Sequence, residues 1–252
     1  MCLIVFAVNA HPDYRLILAA NRDEFYERPT SVAGYWEDHP TILGGRDLRA
    51  KGTWMAVSKS GQFGAITNYR DLQNIRKEAK SRGDLPVNYL LNSESAQEYL
   101  TGLSANAGDY NGFNLLLFDG TSMHHFSNYE GKINSLESGI HGVSNALLDT
   151  SWPKVDKLKE EFSQVIASDF SPDELLKLLQ DETLAEDNKL PDTGVGHDLE
   201  KMLSAIHIKL EKYGTCCSTV LTISNNGKVQ FTERSFSVGD RKEGTVSFNF
   251  NV

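Results

Sequence analysis

Cys2 is the residue of this chain best placed to do chemistry, because it directly follows the initiator Met1. Removal of Met1 would make it the first residue, so a thiol of ordinary pKa near 8.5 would share one residue with an α-amine of pKa about 7.7–8.0. Near neutrality part of that amine is unprotonated and can take the thiol proton, which supplies nucleophile and base together without a separate histidine. Methionine excision depends chiefly on a small second residue, and Cys qualifies. The competing reading is packing, since Cys2 opens an apolar run and free cysteine is among the most buried residue types. Other polar side chains able to take part gather in Asn21-Arg22-Asp23-Glu24 and in Thr67-Asn68-Tyr69-Arg70.

The elements that must position them are legible as strands. Residues 2–8 and 14–20 are apolar runs of strand length, joined by the turn formers Asn9-Ala10-His11-Pro12-Asp13. Pairing 8 with 14 makes partner numbers sum to about 22. That register sets Cys2 opposite Ala20, with the block 21–24 leaving the second strand a few residues away. Both strands are apolar on both faces, which predicts a central place in a sheet covered on two sides. A second hairpin is expected from 53–58 and 62–68 around Lys59-Ser60-Gly61. Gly44-Gly45 reads as a turn, and Trp54 and Trp152 as core or pocket wall.

Ser95 with Glu98, and Ser171 with Glu174 behind Pro172, are capping boxes that open helices to about Leu103 and Gln180; a helical turn is expected over 86–91. Val155, Leu158, Phe162, Val165 and Ile166 recur at helical spacing over 153–167 and give that helix one buried face. Further strands are expected at 113–118, 123–127, 139–144, 218–224, 228–236 and 245–251, and a mobile surface loop at 182–197. Strands and helices come in separate groups, with few isolated strand-helix-strand units. The expectation is therefore one α+β domain over 1–252, a four-layer α-β-β-α sandwich of two mainly antiparallel sheets.

Formal charge is -9 with no basic run, which argues against a nucleic-acid or anionic-membrane partner and favours a small-molecule ligand or substrate. The opening apolar run, 3–8, is too short to span a bilayer and has no basic flank of a signal peptide, so a cytoplasmic protein is the default. Three cysteines, two of them adjacent at 216 and 217, make no disulfide framework and suit a reducing compartment. No zinc spacing occurs: His124 and His125 are consecutive in an expected strand and point to opposite faces.

Several blocks together resemble one family. Met1-Cys2, Leu18-Ala19-Ala20-Asn21-Arg22-Asp23-Glu24-Phe25, Leu43-Gly44-Gly45-Arg46-Asp47, Gly52-Thr53-Trp54 and Thr67-Asn68-Tyr69-Arg70 look like the NRDE family, also called the transport and Golgi organization protein 2 family. The likeness continues through Tyr110-Asn111-Gly112-Phe113-Asn114-Leu115, Gly142-Val143-Ser144-Asn145-Ala146, Trp152-Pro153-Lys154, Tyr213-Gly214-Thr215 and Phe231-Thr232-Glu233-Arg234-Ser235, so it spans nearly the whole chain. That family is similar to the N-terminal-nucleophile hydrolases, especially the choloylglycine hydrolase and penicillin V acylase group. The resemblance implies an amidohydrolase with Cys2 as nucleophile, Asp23 as acidic partner, and Asn68 and Asn145 as oxyanion donors. Asn21, Arg22, Tyr69 and Arg70 are the implied substrate-binding residues, with Arg22 suited to a carboxylate or to an ion pair with Asp23 or Glu24. Local capping of strand ends is the ordinary alternative use for both asparagines. Cys216 stands where the family usually has Arg.

Hydrolysis on this plan needs no cofactor and no metal. The second reading is a non-catalytic carrier on the same fold. The family's links to haem trafficking and to lipid or acyl-coenzyme A homeostasis imply haem or an acyl thioester as its ligand. Cys2, His11 and His197 are then the candidate axial ligands.

Overall fold

The computed structural model describes residues 2–238 and 242–252; Met1, on which the N-terminal reading turns, lies outside them. The chain opens with the hairpin β1 (Cys2–Val8) and β2 (Tyr14–Phe25). It then lays down β3 (Thr30–Tyr35), β4 (Ile42–Asp47), β5 (Met55–Ser58), β6 (Phe63–Asn68), β7 (Phe113–Phe118), β8 (Met123–Ser127) and β9 (Lys132–Ser135). It returns through β10 (Gly139–Val143), β11 (Tyr213–Ser224), β12 (Lys228–Ser235) and β13 (Gly244–Asn251). Among the described residues these form a sheet of order β10-β1-β2-β11-β12-β13 and a second of order β3-β4-β5-β6-β7-β8-β9, every neighbour pair antiparallel.

Alternation along β1 builds the layers. Ile4, Phe6 and Val8 meet Leu43, Val57, Phe63 and Phe118 between the sheets. Leu3, Val5 and Ala7 face outward onto α3 (Pro153–Ile166) and α4 (Pro172–Leu178) through Val155, Leu158, Phe162 and Leu175. The outer face of the second sheet is covered by α1 (Asp84–Leu91) and α2 (Ala96–Ser104), packed on Ile42, Ile66 and Leu115. Burial of both faces of β1 and β2 matches their two-sided apolar pattern, and the result is the expected α-β-β-α sandwich. Both capping boxes are formed, at Ser95 with Glu98 and at Ser171 with Glu174. A short helix, α5 (His197–Met202), has no counterpart in the sequence reading, nor do β3, β4 and β9.

Three expectations are corrected. The hairpin register is two residues displaced: Cys2 pairs with Arg22 and Val8 with Leu16. The turn is wider than its polar residues indicate, closed by the Asn9 N–H donating to the Arg15 carbonyl at 2.8 Å with Asn9 at φ 48°. Residues 21–24 do not leave β2 but continue it, because β11 pairs alongside and sets Thr215 against Asp23 and Tyr213 against Phe25. Gly44-Gly45 is not a turn; it lies within β4, with Gly44 paired to both Gly34 and Ala56. A Cβ on Gly45 would fall 2.1 Å from the Trp54 ring, so the missing side chain is what lets Trp54 lie across this strand. Stretch 182–197 carries a short 3-10 turn, Asp187–Lys189, and is tied down where Thr193 bonds Glu200.

Candidate active site

The two-residue period of β2 divides its polar block between two environments. Leu16, Leu18 and Ala20 face the second sheet, and Arg22 continues that row: its guanidinium stacks over Trp54 at 4.2 Å. Ile17 and Ala19 face the helices, and Asn21 continues theirs. Its amide donates to the carbonyls of Leu179 and Ile206, both at 2.8 Å, and accepts from Ser218 Oγ at 2.5 Å. Cys2, at an even position of β1 beside Arg22, belongs to the inter-sheet row.

At this end of the sandwich a cavity of about 330 Å³ opens, walled by Cys2, Arg22, Asp23, Asp47, Trp54 and Asn68 among others. Arg28 and Arg82 add charge to its wall. Arg22 Nη2 lies 3.8 Å from Glu24 Oε2 and 4.0 Å from Asp47 Oδ2, while Nη1 is buried without a hydrogen-bond partner among the described residues. Asp47 is better served. Burial works against its charge, but N–H donors of Ala50 and Arg49 and the Arg28 Nε at 2.5 Å hold its carboxyl below the usual range. Burial pushes the Cys2 thiol up, Asp23 and Glu24 push it further, and Arg22 opposes them. Asn68 presents a side-chain amide that makes no hydrogen bond among the described residues.

On the helix side of β2, Asp23 Oδ1 accepts from Thr215 Oγ1 at 2.7 Å, and Thr215 in turn accepts from the Ile208 N–H at 2.9 Å. Asn145 stands one shell behind Cys2. Its Nδ2 donates to the Asn68 carbonyl at 2.9 Å, its carbonyl accepts from the Arg70 N–H at 2.7 Å, and Ser144 Oγ bridges its Oδ1 and the Cys2 carbonyl at 3.3 and 3.2 Å. Arg70 is buried against Glu200 at 2.9 Å and over the Trp152 ring at 5.0 Å; Tyr69 stacks on Tyr129 at 3.9 Å. Cys2, Asp23, Asn68 and Arg22 are thus brought together at the cavity, Asn145 braces them, and Asn21, Tyr69 and Arg70 are placed elsewhere.

Sequence reasoning gave no role to Asp47, Arg28, Arg82, Lys154, Glu200 or Thr215. Asp47, Thr215 and Lys154 did fall inside blocks that carried the family resemblance. Cys216 sits at a register shift of β11, its Sγ 3.4 Å from the Gly214 carbonyl, so a buried thiol occupies the position. The candidate axial ligands do not converge. His11 is in the β1–β2 turn against Tyr14 and Phe170, and His197 is exposed beside Asp187 and Asp198. Among the described residues no three His, Cys, Asp or Glu side chains cluster so as to hold a metal ion, and no helix is long and apolar enough to cross a membrane.

Two antiparallel sheets faced by helices on their outer sides make an N-terminal-nucleophile-hydrolase-like fold. A Caenorhabditis elegans N-acylethanolamine-hydrolyzing acid amidase ortholog shares it at a TM-score of 0.53 and 11% identity, over 87% of this chain and 92% of that one. The chain belongs to the Transport and Golgi organisation 2 family, whose model matches residues 1–238. It is 35% identical to the Transport and Golgi organization 2 homolog of Mus musculus over 93% of each chain, and equally to the Homo sapiens homolog. The Drosophila melanogaster protein is 27% identical, over 94% of this chain and 93% of its own.

Proposed function

We propose that this protein is an N-terminal cysteine amidohydrolase acting on a linear amide. The observation that carries the reading is the placement of Cys2 on β1 opposite Arg22, in the wall of the cavity that Asn68 also lines. After Met1 is removed, the Cys2 α-amine takes the thiol proton and the sulfur bonds the amide carbon. The oxygen, now anionic, is met by the Asn68 amide N–H, a contribution of about 3 kcal/mol in acyl-transfer enzymes. The α-ammonium then returns its proton to the leaving amine as the carbon–nitrogen bond breaks, leaving a thioester. Water, deprotonated by the same α-amine, attacks that thioester, releases the acid and restores the thiol. Asp23, one residue beyond the strand partner of Cys2, would orient the amine.

Carriage of haem, or of a lipid or acyl-coenzyme A ligand, on the same fold is less well supported, because the cavity is ringed by charge and the candidate axial ligands lie apart. Reduced thiols at Cys2, Cys216 and Cys217, none of them in a disulfide, suit the cytoplasm. The test is the intact mass of untagged protein before and after a thiol probe, with Cys2→Ala as control, followed by a panel of N-acyl amides. Loss of Met1, one adduct at Cys2 and hydrolysis abolished in Cys2→Ala are the expected results. Retained Met1 overturns the mechanism and gives carriage first place, to be read by a Soret shift on haem titration that survives Cys2→Ala.

A further inference from the structure

We propose that a second cavity, reached from Cys2 across Trp54 and lined by Val32, Leu48 and Cys217, takes the chain of the acyl group, so that the substrate is an amide of a linear apolar acid of about eight carbons or more. The inference rests on Cys2 acting as an N-terminal nucleophile and names the acyl side of its substrate.

The two cavities meet at shared walls. Trp54 and Arg28 line both the Cys2 cavity and this one, which has a volume of about 400 Å³. Strand register gives the span between them: Cys2 of β1 and Cys217 of β11 both pair with Arg22 of β2, so the three side chains form one row on the inter-sheet face. Two strand spacings set the backbones of Cys2 and Cys217 about 10 Å apart. An extended chain gains about 1.2 Å per bond, so an acyl group bound to Cys2 reaches Cys217 after about eight carbons.

The lining changes character along that path. Around Cys2 the walls carry Arg22, Arg82, Asp47 and Glu24, whereas Tyr26, Pro29, Val32, Leu48, Cys216 and Cys217 join Trp54 in the second cavity. Of its charged members, Glu27 and Lys242 are exposed. Val32 and Leu48, 55% and 39% exposed, are apolar surface that an acyl chain lying here would cover. The edge strand β3 is bent to provide it. Between Ser31, paired with Arg46, and Gly34, paired with Gly44, the two residues Val32 and Ala33 oppose Gly45 alone; this is a bulge, a device that re-aims a side chain. The Ala33 N–H donates across the sheets to Glu233 Oε1 of β12 at 2.7 Å. Glu233 is 1% exposed, and burial pushes its carboxyl up against the pull of that N–H, so the acid is the more readily neutral beside an apolar guest. A buried acid thus holds the bulge that brings Val32 to the cavity wall.

The test isolates the acyl side from the amine by using p-nitrophenyl esters of acetic, butyric, octanoic and dodecanoic acids. Acylation of Cys2 in the mature protein is followed by nitrophenolate release and intact mass, each rate divided by that of the same ester with free cysteine. Each methylene buried favours transfer about fourfold, so dodecanoyl transfer should exceed butyryl transfer by at least about tenfold even with the chain only partly covered. Val32→Asp and Leu48→Asp, both at exposed positions and each checked by thermal melting, should bring that ratio down to near unity. A wild-type ratio within about twofold of unity, or a ratio that either folded variant leaves unchanged, overturns the proposal. Absence of any Cys2 adduct overturns it together with the hydrolase reading, whereas acylation of Cys2 that ignores chain length overturns this inference alone.

Discussion

The Arg70–Glu200 pair offers the sharpest test of the charge arrangement beneath the site. Its side chains are 3% and 4% exposed, and Nη1 donates to Oε2 at 2.9 Å. Arg70 Nε and Nη2 have no hydrogen-bond partner among the described residues, so the guanidinium depends on that carboxylate, on a longer bond from Nη1 to Thr193 Oγ1 at 3.3 Å and on Trp152. Glu200→Leu strands the guanidinium and also removes the acceptor for the Thr193 N–H and hydroxyl. Arg70→Met strands the carboxylate. Breaking a buried pair from either side costs about 3–5 kcal/mol, against a total stability of about 5–15 kcal/mol for a folded protein. At about 2–4 °C per kcal/mol for a chain of this size, each single variant should melt about 6–20 °C lower. The double variant Arg70→Met/Glu200→Leu leaves no stranded charge, and should recover most of the loss because replacing a buried pair by apolar side chains is often neutral or stabilising. Urea melts of the four proteins at pH 7 give the coupling directly. Single losses that add to within about 0.5 kcal/mol in the double variant would refute the pairing.

Gly45→Ala should destabilise by about 1–3 kcal/mol and red-shift tryptophan emission, because its Cβ would stand 2.1 Å from Trp54 and push that ring off Arg22; an unchanged spectrum and melt would contradict the packing. His125, fully buried and bonded through Nε2 to Asn114, is depressed to about 4 by burial. Below about 6.5 the unfolded chain binds this proton and the folded chain does not. Stability should therefore fall by about 3 kcal/mol as pH drops from 7 to 4, and urea melts at the two pH values should show His125→Gln to be spared that part of the loss. Thr215→Val removes the donor to Asp23 and the acceptor for Ile208, and hydrolysis of a reactive panel amide should drop about tenfold in kcat with KM little changed. Loss confined to KM would instead place Asp23 in substrate binding.

Local pattern sufficed where one element's own residues decide its form. The ends of β1, β7 and β8 and both capping boxes follow from apolar runs and from hydrogen bonds closed within four residues. It failed where a partner distant in sequence decides. Nothing between positions 42 and 47 shows that Trp54 will cover Gly45 and make two glycines part of a strand. Likewise, nothing in Trp152-Pro153-Lys154 shows that the loop after α5 will fold over Lys154 and bury it.

Which residues gather at the cavity was legible only in part, and the pleat of β2 is one reason. Asn21, Arg22, Asp23 and Glu24 read as one polar block, yet a strand sends neighbours to opposite faces. Arg22 therefore meets Trp54 and Asp47 between the sheets, while Asn21 is used up among the helices and Asp23 is anchored by Thr215. A register two residues away from the expected one keeps this parity, since a shift of two returns every side chain to its own face. It does change the partner: Cys2 lies against Arg22 rather than Ala20, which converts an apolar neighbour into a cation. The two sides of that strand then divide the labour of the proposed reaction. In that proposal the inter-sheet side would receive the substrate at the thiol, and the helix side, through Asp23 held by Thr215, would orient the amine that must deprotonate it.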